Sequence, residues 1–392
     1  MRYISTQKKA MSPFDRKPGQ IEASYTAHHV IEAIGQRLTK PLTFMEVCGT
    51  HTVSIFRSGI RSVLPPGLSL ISGPGCPVCV TDQGEIDCAI NLLDMPDITM
   101  ATYGDMLRVP GTRGSLSERK SDGKDVRLIT SAAQALSIAE DNPEREIVFL
   151  AVGFETTAPA TAATILEATE KNITNFSILV YHKQTPPVLE QLVKDPDLKI
   201  NGFILPGHVS VILGHKAYRF LADHYGVPCA IAGFEPMDIL LAIADLVFQH
   251  SNGETALHSL YPRAVRPEGN QKALDLISKV FTPCSARWRG LGLIPSSGYA
   301  LKDEFAAFDA LLRFGITIPT PKPPAGCCCG DVLAGHITPL KCPLFAAACT
   351  PMTPVGPCMV SSEGSCSAYY KYNRGGASPW KRSPSATEAA DD

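Results

Sequence analysis

The stretch "EIVFLAVGFETTAPATAATILEATEKNITNFSILVY", residues 146–181, decides the fold class. An apolar run at 146–152 leads into a Gly turn, a helix-like segment at 158–172 and a second apolar run at 176–181. Near-continuous apolar strands separated by helices indicate a parallel sheet covered on both faces. The same rhythm recurs at 42–47, 68–72, 98–103, 126–130, 200–206 and 228–233, with a further helix-like stretch at 236–250. An α/β chain is therefore expected, with two parallel-sheet units in tandem. The first spans 40–145 and the second 146–250, with a join near 131–146. Residues 1–20 read as a mobile arm and 21–38 as a helix. From 251 to 372 the rhythm fades into a C-terminal region containing a proline-rich linker at 317–326 and a loop-rich, cysteine-dense end at 327–372. The tail 373–392 is small, polar and expected to be disordered.

At 392 residues, 44% hydrophobic and 19% charged, the chain can bury a sizeable core. A formal net charge of -2 gives no electrostatic case for nucleic acid or an anionic membrane surface. No apolar stretch approaches the roughly 20 residues that span a bilayer, and the N-terminus lacks the apolar core of a signal peptide. Thirteen cysteines in such a chain point to metal or redox chemistry in a reducing compartment, and a cytoplasmic location is expected.

Those cysteines fall into two groups. In "FMEVCGTHT" (44–52) Cys48 directly follows an apolar run, and in "GPGCPVCVT" (73–81) Cys76 and Cys79 follow another. If the two strands are neighbours, all three thiols emerge at one sheet edge, where open α/β sheets bind ligands. The C-x-x-C spacing suits a redox disulfide or chelation of one metal. His51, three residues after Cys48, can assist a thiolate or offer a nitrogen ligand. Three soft ligands at such an edge suit an incompletely coordinated soft metal better than a closed zinc site. Cys88, Cys229 and Cys284 read as structural.

The second group lies in "CCCGDVLAGHITPLKCPLFAAACTPMTPVGPCMVSSEGSCSAYYKY" (327–372), with cysteines at 327, 328, 329, 342, 349, 358 and 366. So short a segment needs a staple, and the long, irregular gaps favour an iron–sulfur cubane over zinc. Elsewhere, Glu155, His208 and Glu235 follow apolar runs and could face a crevice or simply cap helices; Asp105 and Arg108 carry the same ambiguity. No phosphate-loop or dinucleotide fingerprint is present.

The ordered stretches "FMEVCGTHT", "GPGCPVCVT", "TYGDMLRVPG", "VGFETTAP", "LPGHVSVI", "GFEPMDIL" and "CTPMTPVGPCMVSSEGSCSAYYKY" resemble the HypD family of [NiFe]-hydrogenase maturation factors. The resemblance runs from about 40 to 372. It implies two Rossmann-like domains and a small [4Fe–4S] domain. It further implies a scaffold role with the small partner HypC, on which ferrous iron receives CN and CO ligands, with HypE donating cyanide. By the same resemblance Cys48 is the iron-holding thiol with His51 as its functional neighbour, and Cys76 and Cys79 are an iron-site or redox pair. Cys327, Cys342, Cys349 and Cys366 are then the cluster ligands, and Cys329 with Cys358 a cluster-proximal pair able to form a disulfide. The family reads C-R-C-G where this chain has "CCCG", so Cys328 stands in the arginine position and is a second candidate for the ligand place that the resemblance gives Cys327. The role implied is a metallocofactor assembly scaffold with redox activity rather than a free-standing turnover enzyme. A stand-alone iron–sulfur thiol/disulfide oxidoreductase and a zinc-stabilised interaction module are the alternatives.

Overall fold

The computed structural model describes residues 26–373. The arm expected at 1–20 and the tail beyond 373 lie outside them. All eight apolar runs are strands: β1 (Leu42–Glu46), β2 (Leu68–Ser72), β3 (Ile98–Thr102), β4 (Asp125–Leu128), β5 (Glu146–Gly153), β6 (Phe176–His182), β7 (Gly202–Leu205) and β8 (Cys229–Ile231). A ninth, β9 (Leu257–Ser259), and an antiparallel hairpin, β10 (Phe281–Trp288) with β11 (Gly292–Leu301), complete the set. Two parallel sheets result, in strand order β2-β1-β7-β8-β9 and β4-β3-β5-β6. The fold is α/β and Rossmann-like, with a cysteine-rich C-terminal region.

The two units are not in tandem, and this corrects the boundaries expected at 40–145 and 146–250. The chain leaves the first sheet after β2 through the helix Gln83–Leu92, builds the whole second sheet, and returns through Thr185–Val193 to place β7 beside β1. Apolar content marks a strand as buried but says nothing of its neighbour, because parallel partners are joined by long crossovers. Each sheet is covered on both faces. Val30, Ile34, Ile55 and Ile239 pack on one side of the first sheet and Leu189, Tyr218 and Leu221 on the other. Ala135, Ala158 and Ile165 cover one side of the second. Its other side continues without a break into the cysteine-rich region.

The hairpin wedges into the junction between these parts. Trp288, 1% exposed, donates from its indole nitrogen to Ser297 Oγ at 2.9 Å and stacks on Phe154. Beside it, Lys183 Nζ and Glu85 Oε1 form an ion pair at 2.5 Å, with the lysine side chain 1% exposed. Desolvation raises the Glu85 pKa despite that partner. Among the described residues no helix is long and apolar enough to cross a membrane.

A buried pair broken on one side leaves an uncompensated charge. Lys183→Met should therefore cost about 3–5 kcal/mol in denaturant unfolding. The double variant Lys183→Met/Glu85→Leu should recover most of that loss, and a double variant as unstable as the single one would contradict this account of the pair.

Candidate functional site

Cys48 and Cys76 each sit at the N-cap position of the helix that follows their strand: Gly49–Arg57 after β1, and Pro77–Val80 after β2. Because β1 and β2 pair in parallel, both thiols leave the same end of one sheet, as the spacing implies. The two turns touch through their backbones. Gly49 N–H donates to Gly75 O at 3.0 Å. A Cβ at position 75 would collide with the backbone of Val47 and Cys48, so only glycine allows this approach. Cys79 N–H donates to Cys76 Sγ at 3.2 Å, and the two sulfurs form a disulfide.

Cys48 is a buried free thiol. Desolvation pushes it up to about 11, opposed by the amide N–H groups of His51 and Thr50. Uncomplexed Cys48 is thus protonated at neutral pH. His51 is fully buried, donates from Nε2 to Gly233 O at 2.8 Å and lies against the Phe234 ring. Burial lowers its pKa to about 4, so the ring is neutral. Its Nδ1 is a buried acceptor without a partner.

The remaining candidates separate. His208 stacks on Phe234, the ring that His51 also meets, with ring centroids 3.9 Å apart, and the charge of Glu363 acts on it. Glu363 comes from the C-terminal region and accepts from Thr50 Oγ1 at 2.6 Å, two residues from Cys48. Sequence reasoning did not single it out; the signal available was that 327–372 contains just one other carboxylate, Asp331. Glu235 is exposed and caps the helix Pro236–Asn252. Asp105 accepts from Ser361 Oγ and from Ser362 N and Oγ, and Arg108 donates to Pro351 O. Both therefore fasten the C-terminal segment. Glu155 lies at the end of the other sheet, buried, accepting from Thr185 N at 2.6 Å and Thr185 Oγ1 at 2.9 Å.

The seven C-terminal cysteines, 327, 328, 329, 342, 349, 358 and 366, converge on one pocket. Its other walls are Val332, Leu344, Phe345, Gly356 and Met359. Cys329 contacts both Cys327 and Cys358, Cys358 also contacts Cys366, and Cys328 faces Cys342. Cys349 Sγ accepts from Val355 N–H at 3.3 Å, the kind of amide contact that stabilises a thiolate. More than four sulfur donors from separate loops, with no charged side chain in the lining, fit a cubane cluster by donor chemistry. Among the described residues no three His, Cys, Asp or Glu side chains form a preformed single-ion site.

The two sulfur groups share one core. The helix Pro77–Val80 packs against both Cys329–Ala334 and Pro357–Val360, and Cys76, Cys79, Cys329 and Cys358 belong to one buried cluster. A larger cavity, about 380 Å³, lies apart from them between the end of β6, the hairpin and residues 318–321; Cys284 lines it, whereas Cys88 and Cys229 are core residues.

Burial raises Glu155 from 4.5 to about 7. A carboxyl raised in the folded state binds its proton more tightly there than when unfolded. Its contribution to stability is complete below pH 4.5 and lost as pH climbs to about 7. Glu155→Gln should remove that fall, on the order of 3 kcal/mol. Superimposable stability–pH curves for the two proteins would contradict it.

The HypD family model, described as the hydrogenase formation hypA family, matches residues 25–373. Hydrogenase maturation factor HypD2 of Bradyrhizobium diazoefficiens is 45% identical over 343 residues, 86% of this chain and 90% of that protein. Hydrogenase maturation factor HypD of Cupriavidus necator is 44% identical over 368 residues, 91% of this chain and 96% of that protein. The Escherichia coli hydrogenase maturation factor HypD is 42% identical over 341 residues, 86% and 90% of the two chains. The chain belongs to the HypD family of hydrogenase formation and maturation factors.

Proposed function

We propose that this chain, with the small partner HypC, is the scaffold on which the Fe(CN)₂CO unit of a [NiFe]-hydrogenase is assembled, with HypE supplying cyanide as a protein-bound thiocyanate. One observation carries the reading. A free thiol, Cys48, and an oxidisable pair, Cys76 and Cys79, are held side by side by the Gly49–Gly75 contact at the carboxyl end of a parallel sheet.

Cys48 is the thiol that takes the iron cargo. Burial keeps it protonated when free, so binding releases that proton, and the amides of Thr50 and His51 then face the resulting thiolate. His51, neutral and fixed through Gly233 O, keeps its Nδ1 lone pair for a donor on the incoming group. Reductive release of cyanide needs two electrons and two protons. The reduced pair supplies both: Cys76–SH and Cys79–SH with R–S–CN give the Cys76–Cys79 disulfide, R–SH and HCN. Cys329 and Cys358 restore the pair by thiol–disulfide exchange, which conserves electrons. Cys327, Cys342, Cys349 and Cys366 would hold a [4Fe–4S] cluster, which supplies low-potential electrons when bound.

Prepared anaerobically with HypC, the protein should show infrared bands of bound cyanide and CO. Cys48→Ala should lower them by about tenfold or more while the visible iron–sulfur absorption stays intact. Undiminished bands in Cys48→Ala, or zinc in place of iron on metal analysis, would contradict the reading.

A further inference from the structure

Arg289 opens the hairpin turn and is 7% exposed. Its backbone N–H donates to Val80 O at 2.9 Å, Nε to Thr81 O at 3.0 Å and Nη1 to Gln83 Oε1 at 2.9 Å. The residue is thus bolted to the segment that follows the Cys76–Cys79 disulfide. Its other terminal nitrogen, Nη2, is buried with no partner. Among the described residues no carboxylate makes an ion pair with it, and its three bonded neighbours are neutral acceptors.

The next residue reaches the second sulfur group. Gly290, at φ 78°, lies so close to Gly330 that a Cβ would collide with the Gly330 Cα. The turn therefore abuts the first turn of the helix Cys329–Ala334, and the guanidinium charge acts on Cys329. A buried cation without a counter-ion is costly, so a chain that keeps one supplies an anion nearby. The anionic chemistry this neighbourhood offers is sulfur.

We propose that Arg289 is the counter-charge of the cysteine-lined pocket: a fixed cation between the two thiol centres that raises the reduction potential of a cluster held by Cys327, Cys342, Cys349 and Cys366. The inference rests on the cluster reading given above. A neighbouring positive charge favours the more negative, reduced form of such a group, and low exposure keeps water from screening it.

The test is a redox titration of the anaerobically prepared full chain, followed by electron paramagnetic resonance, with iron and acid-labile sulfide assayed in parallel. Arg289→Met should lower the midpoint potential by an amount equal to about tenfold in the reduction equilibrium, about 59 mV for one electron. Arg289→Lys, which keeps the charge, should stay close to the unsubstituted protein. Equal potentials for Arg289→Met and the unsubstituted protein overturn this inference and leave the cluster reading standing. Loss of iron from Arg289→Met alone supports it, whereas loss from both variants assigns Arg289 a purely structural clamp and overturns it. A chain that binds no iron in its unsubstituted form overturns both readings together.

Discussion

The contact on which the rest depends is the approach of Gly75 to the backbone of Cys48. Parallel pairing of β1 with β2 brings two strand ends to one edge, but strand pairing alone leaves the following turns free to splay. The bond from Gly49 N–H to Gly75 O, possible because position 75 carries no Cβ, fixes one turn on the other. Cys48 and Cys76 then become the N-caps of adjacent helices, each beside amide groups that favour negative charge. Buried thiols resist ionisation, and these amides are the local compensation.

A second constraint ties this edge to the C-terminal region. The cysteine-rich segment is too short to bury a core of its own, and it borrows one. Cys349, Cys358, Met359 and Cys366 pack into the same cluster as Cys76, Cys79 and the inner face of the second sheet. Asp105 and Arg108 from the chain around β3, and Thr50 and Phe56 from the Cys48 helix, fasten it through Ser361, Pro351, Glu363 and Tyr369. The proposed relay needs this economy: two sulfur centres that exchange electrons must be close, and a shared core keeps them so without a rigid linker.

Much of this was legible in the sequence, for physical reasons that differ by element. The eight main strands were found because a strand buried on both faces is an apolar run whatever its partners. Their order was hidden, since β7 returning to β1 after more than a hundred residues leaves no local trace. The hairpin was missed because "FTPCSARW" and "GLIPSSGYAL" carry Pro283, Pro295 and Gly298 in place of clean alternation; Trp288 packing holds it instead. The adjacency of Cys48 and Cys76, conditional on strand pairing, follows from chemistry at strand ends. Glu363 and Arg289 escaped notice because a single charge in a polar turn carries no period. Glu155 and Glu235 behave as loop and helix anchors, the plainer of the two readings their positions allowed.

The central claim is that the C-terminal cysteines feed electrons to the Cys76–Cys79 pair through the shared core. The most direct measurement is timed alkylation with mass spectrometry, counting reduced Cys76 and Cys79 after a low-potential one-electron donor is added to the oxidised anaerobic protein. Cys358→Ser, which retains the four proposed cluster ligands, should slow reduction of the pair by about tenfold or more, as loss of an exchange partner demands. Equal rates in the substituted and unsubstituted proteins would contradict the claim.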